Sequence, residues 1–285
     1  MASAGSSGKE NNSFEPLVSV VTVCLNSEKH LAETISSVRG QTYKKIEHII
    51  IDGGSTDGTL EIIKKFADRI AYWTSGPDKG MYDAMNKGVA LAKGDLIGIL
   101  NSDDYYQPNA VEIIVNESRK DKEAGVFCGE VLFFLDESNG TRVTWRRRLT
   151  NLGKFGQEVV HPATFVKKEV YEKFRYDIRY RLASDIEFVY RLYFNGVKFH
   201  TCPGLIANYR VGGASRRFWS ISDVFRIHGR YFGPRCFLRN ATALLFQSAK
   251  WCLKNFVLGG NVKHPFLRWH RRFVNPEWHR EEPGL

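Results

Sequence analysis

From residue 18 onward, short apolar runs alternate with segments whose apolar residues recur three or four positions apart. Val18 to Leu25 is a nearly continuous apolar run, the signature of a strand buried on both faces. Ser27 is placed to cap a following helix on which Leu31, Ile35 and Val38 form one stripe, and Gly40 closes it. Ile46 to Ile51 reads as a second strand, Leu60, Ile63 and Phe66 as the next helical stripe, and Ile70 to Trp73 as a third strand. Met81 to Lys93 has helical spacing through Met85, Val89 and Ala92, with Gly94 at its end. Leu96 to Leu100 is the expected central strand, and Pro108 opens a helix carrying Val111, Ile114 and Val115. Repeated β-α units of this length predict an α/β fold, a mostly parallel sheet flanked by helices on both faces.

After Gly125 the rhythm changes. Val126 to Leu135 and Thr141 to Trp145 flank Glu137-Ser138-Asn139-Gly140, a hairpin signal. A short strand (Ala163 to Val166), a helix around Val170 and a helix from Ser184 to Phe194 follow. Val197 to Cys202 and Ile206 to Tyr209 read as two edge strands. The organisation expected is a disordered lead-in at 1–16, a catalytic body at 17–215 and a basic, amphipathic, helical extension at 216–285. In the extension, Ala243-Leu244-Leu245-Phe246, Trp251, Leu253 and Phe256-Val257-Leu258 interleave with Lys250 and Lys254. Arg235, Arg239, Lys263, Arg268, Arg271 and Arg272 surround them. Such a face suits an anionic membrane surface. It also suits packing on the body or on a second copy in a homo-oligomer. No apolar stretch is long enough to span a bilayer, and residues 1–16 lack the apolar centre of a signal peptide.

The 285 residues are 43% hydrophobic and 25% charged, enough for a substantial core. The net charge of +10 is uneven: residues 216–285 hold 13 Lys and Arg against 4 Asp and Glu, whereas residues 1–215 hold 28 against 27. The basicity belongs to the tail, so the body does not read as a nucleic-acid binder. Five cysteines, widely spaced and without a C-x-x-C pair, indicate neither a zinc site nor a disulfide framework. They suit buried thiols in a reducing, cytoplasmic compartment.

The acidic residues are harder to explain as packing. Asp52 follows one strand, Asn101-Ser102-Asp103-Asp104 follows another, and Asp185 opens a helix. Ligands of open α/β sheets bind at the carboxyl ends of the strands. Carboxylates crowded there repel one another unless a cation compensates, which points to a metal–nucleotide site. Asp52 is placed to accept hydrogen bonds from a base or ribose, or else to cap the next helix. The G-x-G-x-x-G fingerprint of dinucleotide sites is absent.

Five segments together carry a resemblance: Val18-Ser19-Val20-Val21-Thr22-Val23-Cys24-Leu25-Asn26, Asp52-Gly53-Gly54-Ser55-Thr56-Asp57-Gly58-Thr59, Asp78-Lys79-Gly80-Met81-Tyr82-Asp83-Ala84-Met85-Asn86-Lys87-Gly88, Gly94-Asp95 and Leu100-Asn101-Ser102-Asp103-Asp104. Over about residues 17–215 the chain resembles the family 2 glycosyltransferases of GT-A fold, of the bacterial polysaccharide-assembly kind. The resemblance implies a nucleoside-diphosphate sugar as donor, with Asp52 at the nucleotide and Asp78 or Asn86 touching the nucleoside. Asn101-Ser102-Asp103 stands where the family carries D-x-D. This makes Asp103 the direct ligand of Mn²⁺ or Mg²⁺ and Asp104 its helper, with Asn101 as a departure that weakens the site. Asp185 corresponds to the family's general base, Glu187 being the fallback. His161 is a candidate for the sugar or acceptor site, or a structural histidine. Arg210, Ser215 and Arg216 are candidates to close over the diphosphate, or an ordinary loop.

The function expected is inverting transfer of a sugar to a hydroxyl of a lipid-linked saccharide acceptor, on the inner face of the cytoplasmic membrane. No Q-x-x-R-W motif of processive synthases occurs. Two alternatives stay open: a nucleotidyltransferase making sugar nucleotides, and a non-catalytic sugar-nucleotide-binding protein.

Overall fold

The computed structural model describes residues 15–136, 142–147, 159–211, 223 and 226–233. Four strands lie parallel in the order β3 (Tyr72–Ser75), β2 (Ile46–Asp52), β1 (Val18–Cys24), β4 (Leu96–Asn101). All seven positions of β1 are buried, as its apolar run requires of a central parallel strand. The sheet continues from β4 through β8 (Thr164–Lys167), β6 (Val126–Asp136), β9 (Phe199–Arg210) and β5 (Tyr105–Tyr106), with β7 (Arg142–Arg147) paired to β6. In this half only β6 and β9 run parallel, so the sheet is mixed rather than parallel throughout. The change of rhythm after Gly125 marks that switch.

Alternate residues of each strand feed opposite cores. Val21, Ile49 and Ile99 pack with Met85 and Val89 of α3 (Met81–Leu91) on one face. Val18, Val20 and Leu100 pack with Val111 and Ile114 of α4 (Ala110–Lys120) on the other. Gly88 is needed where α3 meets β1, since a Cβ there would lie 2.2 Å from Val21 Cγ1. Two further helices, α1 (Leu31–Arg39) and α2 (Thr59–Lys65), cover Cys24 and Ile50 with Leu31, Ile35 and Ile63. Past β8, α5 (Lys168–Lys173) leads to α6 (Ser184–Phe194), the helix whose span the sequence pattern predicts.

Three expectations differ from the structure. The third strand begins two residues later than its apolar signal, because Ile70 is used to cover the α1–α2 cluster while the ladder runs from Ile49↔Tyr72 to Asp52↔Ser75. The two expected edge strands are one strand, β9, which is flanked by β5 and passes Pro203 and Gly204 through register shifts against Cys128, Glu130 and Val131. Gly204 takes φ +87° there, so the residues that read as a break form a bulge instead. Ser27 does not cap α1 with its side chain: its carbonyl accepts from the amides of His30 and Leu31, and its hydroxyl turns to Ser102. The β6–β7 pairing matches the hairpin signal, although its turn at 137–140 lies outside the described residues. So does the amphipathic stretch at 243–258.

Residues 226–233 are helical and pack on α6, with Ile227 fully buried against Tyr180, Ala183 and Tyr190. Among the described residues no helix is long and apolar enough to cross a membrane, and Cys24, Cys128 and Cys202 are buried free thiols.

His48 of β2 is 4% exposed and shares a 2.9 Å hydrogen bond with the Thr22 hydroxyl of β1. Burial pushes its pKa down to about 4. An unfolded histidine takes a proton near pH 6.5, so the unfolded state binds more protons as pH falls from there towards 4, and stability is lost across that window. Replacing His48 with Gln should remove ~2 kcal/mol of the stability lost between about pH 7 and pH 5, read as the change in urea unfolding relative to wild type.

Candidate active site

The parallel strands end level: Cys24 pairs with Asp52, Asp52 with Ser75, and Val23 with Asn101. The loops that follow therefore meet at one edge of the sheet. Asp52 is 1% exposed and accepts from the amides of Gly54 (3.1 Å) and Ser55 (3.0 Å) and from the hydroxyls of Ser55 (2.5 Å) and Ser75 (2.6 Å). Burial pushes its pKa up, but these four donors outweigh burial and hold the carboxyl below its ordinary value. Asp52 thus shapes the loop that follows it.

That loop is tied to the one after β1. Asn26, at φ 51°, donates its amide to the Ser55 hydroxyl (2.8 Å) and accepts from the Thr56 amide (2.9 Å), and the Ser27 hydroxyl meets that of Ser102 at 2.7 Å. A relay of short contacts therefore connects Asp52 to the Asn101–Asp104 motif. On the other side, Asp78 accepts from the Gly80 amide (2.7 Å) and lies against Gly53, as does the exposed Leu25.

At the end of β4, Asp104 is 1% exposed. Its Oδ1 accepts from the Arg210 amide at 2.9 Å, and its buried Oδ2 has no hydrogen-bond partner among the described residues. Burial pushes its pKa well above the carboxylate range, and the charge of Asp103 pushes it further. Asp103, partly exposed, is also raised by burial, against relief from its own backbone amide, His161, His30 and Arg210. The Asn101 amide nitrogen lies 2.9 Å from His161 Nε2, while its buried carbonyl oxygen has no hydrogen-bond partner among the described residues.

His161 occupies a short 3-10 turn, His161–Ala163, between the motif and α6. Its Nε2 is 3.9 Å from Asp104 Oδ2 and its Nδ1 is 3.8 Å from Asp185 Oδ2. Asp185, in the first turn of α6, keeps 30% of its side chain exposed and accepts a 2.8 Å hydrogen bond from the Tyr82 hydroxyl at Oδ1. Burial pushes the pKa of Asp185 up, but His161, the Tyr82 hydroxyl and the Ile186 amide reverse this and hold it below the usual value. The helix N-terminus acts in the same direction.

Asp104, His161 and Asp185 are thus neighbours, and Asp52 reaches them through the relay. Asn86, Asp83, Glu187 and Arg210 are each held by partners of their own. Asn86 pairs with the backbone of Tyr176 in both directions, donating to its carbonyl and accepting from its amide at 2.9 Å each. Asp83 receives the Lys79 amide (3.0 Å) and Lys87 (3.1 Å) at the start of α3. Glu187 is 1% exposed and held by Arg191 (3.1 Å) and Tyr231 (2.7 Å). Arg210 is fixed behind the motif, bonding Glu33 (2.7 Å) and the Asp103 carbonyl (3.2 Å), with its guanidinium 4.5 Å from the Phe134 ring centre. Ser215 and Arg216 lie outside the described residues.

Tyr82 is the site residue that the sequence reading missed. It stands three residues before Met85 on the inner stripe of α3, and that stripe reads as core.

Among the described residues no group of three or more His, Cys, Asp or Glu is placed to hold a metal ion. The two unpartnered oxygens, Asp104 Oδ2 and Asn101 Oδ1, together with Asp103, are hard donors. They fit Mg²⁺ or Mn²⁺ held by one or two carboxylates with the remaining ligands supplied by bound phosphates.

The family described as Glycosyl transferase family 2 matches residues 19–197, most of the chain. The chain belongs to glycosyl transferase family 2. This glycosyltransferase is 38% identical over 183 residues to an uncharacterized glycosyltransferase of Mycobacterium tuberculosis, covering 62% of the present chain and 68% of that one. It is 40% identical over 110 residues to a chondroitin synthase of Pasteurella multocida, covering 38% of the present chain and 11% of the synthase. In fold it resembles a mannosyltransferase from Pyrobaculum calidifontis in complex with GDP-Man and Mn²⁺ (TM-score 0.59, 16% identity, 92% and 85% of the two chains). It also resembles TarS 1-349 of S. aureus in complex with UDP-GlcNAc (TM-score 0.57, 16% identity, 74% and 64%). These likenesses establish the GT-A fold, and membership of the family sets aside the nucleotidyltransferase alternative.

The two bonds from Asn86 to the Tyr176 backbone lie in a partly buried setting, where removing one partner strands the other. Asn86→Ala should lower stability by about 2 kcal/mol, read from the midpoint of urea unfolding at unchanged slope.

Proposed function

We propose that the protein is an inverting, metal-dependent glycosyltransferase that moves a sugar from a nucleoside-diphosphate sugar to a hydroxyl of a saccharide acceptor. The observation that carries this reading is Asp185. Its carboxylate is held ionised, partly open, and separated from Asp104 of the D-x-D-like motif by His161 alone.

The nucleoside is assigned to the edge formed by the Asp52 loop, Asp78 and Leu25. Asp103 and Asp104, with the Asn101 carbonyl, would hold the cation. Mn²⁺ or Mg²⁺ bound there supplies positive charge against the oxygens of the departing diphosphate. Asp185 Oδ2 takes the proton of the attacking hydroxyl, since Oδ1 is occupied by Tyr82. The hydroxyl oxygen then bonds to the anomeric carbon as the bond to the diphosphate breaks on the opposite side, which inverts the configuration. Glu187, buried and paired, offers no second carboxylate for a double displacement. The basic segment 216–285 supports a lipid-linked acceptor at the cytoplasmic face of a membrane, with the protein peripheral to it.

Two measurements test the mechanism. Asp185→Asn should cut nucleoside-diphosphate release by about 10²–10⁴-fold while leaving donor affinity nearly unchanged. A wild-type rate would overturn the base assignment, and no release by either form would favour a non-catalytic binder. The depressed pKa of Asp185 keeps it ionised as pH falls through the ordinary carboxylate range, so the acid limb of kcat should lie below that range. Tyr82→Phe removes a donor to the ionised form and should move that limb to higher pH.

For the donor, thermal-shift scans with UDP-, GDP- and dTDP-sugars plus Mn²⁺ should raise the melting temperature for the correct base, because only the native state binds it.

A further inference from the structure

We propose that the outer end of α6, together with the helical residues 226–233, is a docking face for an anionic lipid bilayer. Tyr193 and Phe194 close α6 with 42% and 51% of their surface exposed, the only adjacent pair among the large exposed apolar residues described. Phe194 stacks on Tyr231 at 5.4 Å and meets Phe232 at 5.8 Å, and both of those rings are themselves only partly buried. The result is a continuous aromatic surface built from two elements. Aromatic rings with a polar rim favour the headgroup boundary of a bilayer.

The charge around this surface is sorted. Its carboxylates are turned inward or tied up: Glu187 is bonded to Arg191 and Tyr231, Asp223 is 6% exposed and accepts from the Leu182 amide, and Asp177 is chelated by Arg179. The guanidinium groups face out. Arg226 is 62% exposed, its head 5.3 Å from the Tyr180 ring centre and 3.9 Å from Asp223, Arg230 lies 5.7 Å from the ring centre of Tyr231, and Arg181 is exposed. From this face the chain runs into residues 234–285, which hold 9 Lys and Arg against 3 Asp and Glu.

An anionic bilayer complements such a rim. A second copy pairing through the same face sets arginine against arginine, because a two-fold contact matches a patch with itself. The face also bears on the chemistry, since Asp185 lies in the first turn of α6. A rise of about 1.5 Å per residue over nine residues sets the base ~14 Å along the helix from Phe194. Docking would therefore fix the base relative to the membrane.

This inference extends the reading of a lipid-linked acceptor, and vesicle binding is measured without donor turnover, so the two can fail separately. The test is co-sedimentation of the full chain with phosphatidylcholine vesicles, with and without phosphatidylglycerol. Binding should require phosphatidylglycerol and weaken as salt rises. The double substitution Tyr193→Ser with Phe194→Ser should weaken it roughly tenfold or more, at unchanged water-driven release of nucleoside diphosphate. Arg181→Gln with Arg226→Gln should weaken it by a comparable factor, and this pair keeps the aromatic surface if the first variant fails to fold. Wild-type binding by folded forms of both pairs overturns the proposal. So does equal binding to neutral vesicles, or a dimer in sedimentation equilibrium that the aromatic pair dissociates while vesicle binding persists.

Discussion

The site is organised by the cost of burying negative charge. An isolated carboxylate taken out of water loses several kcal/mol even after relaxation, and each charge-assisted hydrogen bond returns about 1.5–3. Asp52 meets that cost within its own loop, with two amides and two hydroxyls. Asp185 meets it with Tyr82, His161 and a helix N-terminus. Asp104 does not: one oxygen is bonded to the Arg210 amide and the other, beside a second carboxylate, is buried with no hydrogen-bond partner among the described residues. Two of the three aspartates are therefore compensated by hydrogen bonds from the protein, whereas burial and a neighbouring carboxylate drive the third toward its neutral form.

The same logic separates the supports from the chemistry. Arg210 looks from its position like a phosphate-binding cation, yet its charge is set against Glu33 and its plane lies on Phe134. What it delivers to the motif is mainly rigidity, through its amide to Asp104 and its guanidinium to the Asp103 carbonyl. Asn86 does likewise for the start of the 176–183 segment. On the far side, the described residues beyond 222 hold α6 in place through Ile227, His228 and Tyr231. The helix that carries Asp185 is thus held by the sheet-edge residues at its start and by a segment outside the family match along its length.

Much of the architecture was legible because it rests on period alone. Buried parallel strands appear as unbroken apolar runs and α6 as a clean stripe, so their spans follow from spacing. β9 was misread because Pro203 and Gly204 signal a break in any local window. Only the partner strand β6, with its own irregularity near Glu130, shows that the break is a bulge. Asp52, Asp103 and Asp185 could be singled out because carboxylates at strand and helix ends have few packing uses. The rank of Asp104 over Asp103 in burial could not, because it depends on an amide 106 positions away. Tyr82 was hidden for the opposite reason: its ring belongs to the core stripe, and only its hydroxyl belongs to the site.

Asn101 ties these threads together. An aspartate in its place would add a third carboxylate to a cluster in which burial already raises Asp103 and Asp104. The amide avoids that repulsion and still presents a carbonyl oxygen on one side while contacting His161 on the other. Under the proposed function the exchange weakens the protein's own hold on a divalent cation, because a neutral carbonyl attracts it less than a carboxylate. In the proposed mechanism the diphosphate then becomes the larger share of the ion's ligand shell, so that metal and donor enter together. Asn101 also contacts the ring that lies between the motif and Asp185, which makes the departure from the acidic pattern a redistribution of contacts within the cluster rather than the loss of one.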